Sequence, residues 1–182
     1  MISTPYVLIT AARNEEAYIE RTLDSVIHQM VLPEKWIIVS DGSTDRTDEI
    51  VRQYVSRYRF LELVRRENSG KRSFRSKIEA VNEAVKRLDS VNYAFIGCLD
   101  ADVSFGPDYY KKLIEHFRAN SRLGIAGGGL VDCCHNKEYR HFSSRTSVPG
   151  AVQFFRRDCY EEIGGYTPLT YGQVDAVAIL ID

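Results

Sequence analysis

Tyr93-Ala-Phe-Ile-Gly-Cys-Leu-Asp-Ala-Asp-Val-Ser-Phe105 is an apolar run that ends abruptly in two carboxylates one residue apart. Tyr93 to Leu99 has the length and the partly aromatic, apolar content of a strand buried on both faces, the kind found in parallel sheets. Asp100 and Asp102 therefore leave its carboxyl end, the edge at which open α/β sheets bind ligands. Residues two apart leaving a strand point to one side, so both carboxylates can face one ligand. Like charges this close repel unless a cation or hydroxyl groups take up their lone pairs. A hard divalent ion such as Mg²⁺ or Mn²⁺, often shared with substrate phosphates, meets that need. A capped strand-to-helix turn uses Asp in the same place, and the short pattern alone does not separate the two.

Working upstream, Tyr6 to Ala11 reads as a first buried strand, followed by the polar turn Ala12-Arg13-Asn14-Glu15-Glu16. Ile19, Leu23, Val26, Ile27 and Met30 then form one face of an amphipathic helix. Lys35 to Ser40 is a second strand, running into Asp41-Gly-Ser-Thr-Asp-Arg-Thr47, a loop of turn-forming and helix-capping residues. Ile50, Val51, Tyr54, Val55 and Tyr58 mark the next helix, and Phe60 to Arg65 a third strand. A basic loop with Arg65, Arg66, Lys71, Arg72, Arg75 and Lys77 precedes a helix striped by Ile78, Val81, Val85 and Leu88. Strands alternating with helices in this way predict an α/β fold: a doubly wound, Rossmann-like, mostly parallel sheet with right-handed crossovers and helices on both faces.

Downstream, a helix with Tyr110, Leu113, Ile114 and Phe117 on one face leads to Leu123 to Val131, a strand loosened by glycine. Residues 132 to 148 lack any period and read as a surface loop. Ala151 to Phe155 reads as a strand, and Arg157 to Ile163 as a short helix ended by Gly164-Gly165. Asp175 to Asp182 begins a further helical pattern that the chain end cuts off, so the expectation is one domain, 1–182, truncated at its C-terminus.

A chain of 182 residues is of one-domain size. No apolar run approaches the length of a membrane span, and the first residues lack a basic n-region and a cleavage pattern, which points to a cytoplasmic protein. A net charge of −1 offers no global attraction to nucleic acid. Cys98, Cys133, Cys134 and Cys159 do not form a disulfide framework, and Cys133-Cys134-His135 lacks the spacing of a zinc site.

Three strand ends thus carry polar clusters on one edge of a sheet: Thr10 to Asn14, Ser40 to Thr44, and Asp100 to Asp102. Such a cleft suits a nucleotide, with Asp41 accepting from a base and Asp100 from ribose hydroxyls. Asp41-Gly42-Ser43 serves equally as a capped turn. One or two residues of the basic loop would neutralise a diphosphate. Ser69-Gly70-Lys71-Arg72 is not a P-loop, no G-x-G-x-x-G follows the first strand, and no G-x-S-x-G elbow is present. His28, His116, His135 and His141 have no evident catalytic partner.

Taken together, Leu8-Ile-Thr-Ala-Ala-Arg-Asn-Glu-Glu16, Ile38-Val-Ser-Asp-Gly-Ser-Thr-Asp45, Leu99-Asp-Ala-Asp102 and Gly164-Gly-Tyr166 resemble the family 2 glycosyltransferases, inverting enzymes of the GT-A fold. The resemblance runs from residue 6 to the chain end. It implies a nucleotide-sugar donor, usually UDP-linked, bound with Mg²⁺ or Mn²⁺, and a saccharide or lipid-linked acceptor. Many relatives act on lipid-linked acceptors, which would bring the protein to the membrane periphery. Carried over, Thr10, Ala11, Asn14, Asp41 and Lys71 lie around the nucleotide, Asp100 contacts ribose and Asp102 ligates the metal. The family's catalytic base, an Asp often preceded by Glu, falls on Asp175, with Val174 where the Glu would stand. Asp175 also suits a helix N-cap, and the two roles are compatible. Sugar-nucleotide pyrophosphorylases share a similar sheet but carry a glycine-rich loop after the first strand, which Ala11-Ala12-Arg13-Asn14-Glu15 lacks. A nucleotide-sugar-binding module without transferase activity is the alternative that Val174 and the short chain favour.

Overall fold

The structure, a computed structural model, describes residues 4–67, 73–134, 137–140 and 148–167. In chain order the elements are β1 (Tyr6–Ala12), α1 (Ile19–Ile27), β2 (Lys35–Asp41), α2 (Thr47–Val55), β3 (Leu61–Arg66), α3 (Phe74–Val85) and β4 (Phe95–Leu99). They continue with α4 (Tyr109–Ala119), β5 (Ile125–Ala126), β6 (Val131–Cys134), β7 (Lys137–Arg140), β8 (Val152–Arg156) and α5 (Arg157–Glu162).

Six strands form one sheet in the order β3-β2-β1-β4-β8-β5. β3, β2, β1 and β4 run parallel, while β8 pairs antiparallel with both β4 and β5. The mostly parallel α/β sheet expected from the alternating pattern is therefore present. Side chains of β1 alternate between two cores. Tyr6 and Leu8 pack with α1, α2 and α4 on one face, and Val7 and Ile9 pack with α3 and α5 on the other. The chain adds β2 and β3 on one side of β1 and then crosses back to place β4 on the other. Right-handed crossovers in opposite directions put α3 on the face opposite α1 and α2. The reversal lies between β1 and β4, and crevices at such points are where these sheets bind ligands.

Gly97 shows how tightly the centre is filled. A Cβ there would come within 2.5 Å of Leu8 Cδ2 and 3.0 Å of the Phe154 ring. At the end of α5, Gly164 and Gly165 take φ of 74° and 69°, the left-handed region in which glycine ends a helix without strain.

Three expectations are corrected. The glycine-rich strand shrinks to Ile125–Ala126, because the glycines that follow have no side chains to pack and weaken pairing. Within 132–148, expected to be loop, β6 and β7 pair as an antiparallel ribbon with Val131 opposite Arg140. A two-stranded ribbon outside the main sheet needs no apolar alternation, so the sequence carried no period there. Met30, expected on the apolar face of α1, lies beyond the helix end, is 65% exposed, and donates its N–H to the Pro107 carbonyl at 2.8 Å.

Candidate functional site

The loops after β1, β2 and β4 meet at the carboxyl edge of the sheet. The first two are bound to each other. Asn14 sits at φ 54°, a left-handed conformation that Asn tolerates. Its Oδ1 accepts from the Thr44 N–H at 2.8 Å, and its own N–H donates to Ser43 Oγ at 3.2 Å. Asp45 accepts from the Glu16 N–H at 3.0 Å, and Glu16 accepts from the Arg46 N–H at 3.0 Å. Asp45 also accepts from the Thr47 hydroxyl at 2.6 Å. Partial burial pushes the Asp45 carboxyl up, but these donors outweigh it and hold it below the ordinary aspartate value.

Asp41 ends β2 and is buried. Arg66, at the end of β3, donates to its Oδ1 at 3.1 Å, and the Ser76 hydroxyl of α3 donates to Oδ2. Ser73 positions that helix: its side chain caps the start by accepting from the Ser76 N–H at 3.1 Å. The next residue, Lys77, donates to Asp100 at the end of β4. Consecutive residues of one helix turn thus hold the carboxylates of two different strand ends. Ala11, Arg13, Asp41, Ser73, Phe74 and Lys77 line a cavity of about 300 Å³ over this edge.

Asp102 is exposed, and with Asp100 it lines a second cleft on the α1 and α4 side. Two carboxylates form a hard oxygen donor set that suits Mg²⁺ or Mn²⁺, with phosphate oxygens and waters completing the shell. Among the described residues no group of three or more His, Cys, Asp or Glu is placed to hold a metal unaided.

Behind the carboxylates, burial pushes the Cys98 thiol up to about 12, so it is a neutral core group. Tyr166 is buried beside it, donates its hydroxyl to Gln153 Oε1, and is likewise raised by burial. Asn82 of α3 donates to the Tyr166 carbonyl at 3.0 Å.

Of the residues expected around a nucleotide, the structure brings Ala11, Asp41 and Asp100 to this edge. Thr10 is fully buried, and its hydroxyl accepts from the Trp36 indole N–H at 3.0 Å, so its side chain faces the core. Asn14 spends its side-chain oxygen on Thr44 and braces the two loops. Lys71 and Asp175 lie outside the described residues. Among the described residues of the basic loop, Arg65 pairs with Asp48 and Arg75 with Glu79, while Arg66 and Lys77 are brought to Asp41 and Asp100. Ser76 was not legible as a site residue. The capping serine three positions before it was the one available signal of where α3 starts.

Glycosyl transferase family 2 matches the chain over residues 7–172. The chain is 34% identical over 121 residues to a poly-beta-1,6-N-acetyl-D-glucosamine synthase of Staphylococcus epidermidis, covering 66% of this chain and 27% of that protein. It is 31% identical over 120 residues to the synthase of the same name from Staphylococcus aureus, again over 66% and 27%. The chain thus spans about a quarter of the length of these curated relatives. The mannosyltransferase PcManGT of Pyrobaculum calidifontis, solved with GDP-Man and Mn²⁺, superposes with a TM-score of 0.69 at 20% identity over 92% of this chain and 49% of that one. S. aureus TarS 1-349 with UDP-GlcNAc superposes with a TM-score of 0.67 at 17% identity over 94% and 51%. At these identities the structures share the fold.

Proposed function

Because the chain belongs to glycosyl transferase family 2 and has the GT-A architecture, we propose that it transfers a sugar from a nucleotide-diphosphate sugar, UDP-linked, to an acceptor hydroxyl with inversion, in polysaccharide assembly. The observation that carries this reading is the convergence of Asp41, Lys77, Asp100 and Asp102 on the edge where the sheet reverses. The synthases that resemble it are named for a polymer of N-acetylglucosamine, which favours UDP-N-acetylglucosamine as donor.

In this reading the cavity beside α3 takes the nucleotide. Asp41, held in place by Arg66 and Ser76, accepts from the base, and Asp100 from the ribose. Asp102, with Asp100 beside it, would hold Mg²⁺ or Mn²⁺, which when bound would neutralise charge on the leaving diphosphate. Lys77 adds a cation on the opposite flank of Asp100. Asp175 removes the proton of the acceptor hydroxyl as it attacks the anomeric carbon. Val174, in the place of a customary Glu, favours one second reading, in which the chain holds a nucleotide sugar without transferring it. Among the described residues no helix is long and apolar enough to cross a membrane. A saccharide or lipid-linked acceptor, met at the inner membrane surface, completes the proposal.

The test is calorimetric titration with UDP, UDP-N-acetylglucosamine, UDP-glucose and GDP-mannose, each with and without Mn²⁺, on the wild type and on Asp102→Ala. Metal-dependent uptake of a UDP compound, lost in Asp102→Ala, is expected. A folded protein that takes up none of the four sinks the donor-site reading. Uptake with no turnover, offered an N-acetylglucosamine oligomer as acceptor, would select the binding module.

A further inference from the structure

Gln153 is the polar residue in Val152-Gln-Phe-Phe155, the otherwise apolar and buried run of β8, and it lies opposite Cys98 of β4 with 3% of its surface exposed. A buried amide costs free energy unless both its ends are paired. Here Tyr166 donates its hydroxyl to Oε1, and Nε2 donates to the Val148 carbonyl at 3.2 Å. A carbonyl only accepts, so the second contact fixes which way round the amide sits and leaves Oε1 as the acceptor for the tyrosine.

These two bonds close a ring of contacts. Val148 begins the turn before β8, in which the Val152 N–H donates to the Pro149 carbonyl at 3.1 Å. The Ala151 carbonyl of the same turn accepts from the Asp100 N–H at 2.9 Å, and the Asp100 carboxylate accepts from Lys77 of α3. Further along α3, Asn82 donates to the carbonyl of Tyr166 at 3.0 Å, and the Tyr166 hydroxyl returns to Gln153. The circuit runs from α3 to the end of β4, through the turn before β8 to Gln153 and Tyr166, and back to α3. Gly164 and Gly165, both at positive φ, turn the chain after α5 so that the Tyr166 ring stands edge-on to Phe155 at 6.0 Å between centroids.

An aliphatic side chain would fill the Gln153 position with no polar atoms to satisfy. What the amide adds is direction, because it joins the segment after α5 to the turn that bonds Asp100. We propose that Gln153 and Tyr166 are positioning residues for Asp100. The hydroxyl orients the amide, the amide holds the turn, and the turn fixes the backbone from which the Asp100 carboxylate projects toward a nucleotide-diphosphate sugar. The inference rests on the donor-site reading for its ligand, while the placement of Asp100 is measurable in the free protein.

Wild type, Tyr166→Phe, Gln153→Met and the double variant are compared by urea unfolding, by hydrogen exchange of the Asp100 amide relative to the Ile96 amide deeper in β4, and by calorimetry with UDP and Mn²⁺. Each single change removes one partner of a buried hydrogen bond and lowers the unfolding midpoint. The double change removes donor and acceptor together at nearly constant volume and should recover most of that loss. Exchange at Asp100 should rise about tenfold against Ile96 in all three variants, and UDP affinity in Mn²⁺ should fall about tenfold, the scale of one lost outer support. Neither should recover in the double variant. Exchange and affinity that return with the midpoint, or that keep wild-type values in every variant, would overturn the proposal and leave the pair as packing. Tyr166→Phe removes a single oxygen, so it decides the case by the same two readouts should a Gln153 variant fail to fold. A wild type that takes up no UDP would overturn the donor-site reading, and the Asp100 exchange ratio would still test the positioning role.

Discussion

The ammonium of Lys77 lies 2.5 Å from Oδ1 of Asp100, joining the first turn of α3 to the end of the central strand β4. About a third of each side chain is exposed, so the pair sits at the rim of the cavity and not within the core. Rim pairs of this kind add little to stability. The value of the contact is in placement: it sets a cation beside the proposed ribose contact, next to which the diphosphate of a bound donor would lie.

Lys77→Met should therefore weaken UDP binding about tenfold, equivalent to one charge-assisted hydrogen bond, while the melting temperature changes little. Lys77→Arg should recover part of the loss. Calorimetry on the three proteins decides it, and unchanged affinity in Lys77→Met would remove Lys77 from the donor site.

Asp41 differs because it is buried with its partners. Asp41→Ala removes the carboxylate that accepts from the Ser76 hydroxyl and takes one anion from Arg66, which keeps Glu79 and Glu83. A cost of about 2 kcal/mol is expected, with about 1 kcal/mol for Ser76→Ala. Urea unfolding measures both, and equal midpoints for all three proteins would contradict the assignment of this cluster as the support of α3.

Thr10 and Trp36 make a contrasting pair. The Thr10 hydroxyl serves the indole N–H within the core, so Thr10→Val strands a buried donor and should cost about 2 kcal/mol. UDP affinity should not move. A fall in affinity at constant stability would return Thr10 to the nucleotide site.

These cases explain what the sequence disclosed. Strand ends were legible because buried parallel strands are continuous apolar runs that stop at polar turns, as at Ser40-Asp41 and Leu99-Asp100. Which way a side chain points beyond the last strand residue was not legible. Thr10 and Ala11 are neighbours, yet pleat alternation sends one into the α1 and α2 core and leaves the other at the cavity. The pairing of Ser76 and Lys77 with Asp41 and Asp100 depends on the rotation of α3 about its axis, which packing of Ile78 and Val81 sets. The ribbon β6–β7 pairs outside the six-stranded sheet, and its residues carry no apolar period by which it could be read.

Asp45 gives a pH signature. Its folded carboxyl titrates below the ordinary aspartate value because the Thr47 hydroxyl and the N–H groups of Thr47 and Glu16 favour the charged form over the cost of partial burial. The unfolded chain then binds its proton first as pH falls, so the stabilisation is complete above about pH 5 and is lost progressively below about pH 4. Urea midpoints measured across this range should differ between wild type and Asp45→Ala by a constant amount above pH 5, and the difference should shrink toward pH 3. A difference that grows on acidification would mean that the carboxylate is not held by these donors.

The last prediction concerns α1, which touches no proposed donor group and yet controls one. Thr22, Ser25 and Gln29 lie along one face of the α1 segment and bond to the loop after β4 at Ala101, Phe105 and Gly106, and Gln29 Oε1 also accepts from the Tyr110 N–H at 3.1 Å. Ala101 stands between the two carboxylates, so its carbonyl fixes the backbone from which Asp100 and Asp102 both project. A cation that borrows only part of its shell from protein is sensitive to the placement of those few ligands, and the loss of an outer support commonly costs about tenfold in metal affinity. Thr22→Val should raise the Mn²⁺ concentration needed for half-saturation of UDP binding about tenfold, Thr22→Ser should restore it, and metal-free UDP binding should be equal in all three. A purely structural hydroxyl would lower the unfolding midpoint and leave the Mn²⁺ dependence where it was, and that outcome would reduce the α1 contacts to ordinary packing.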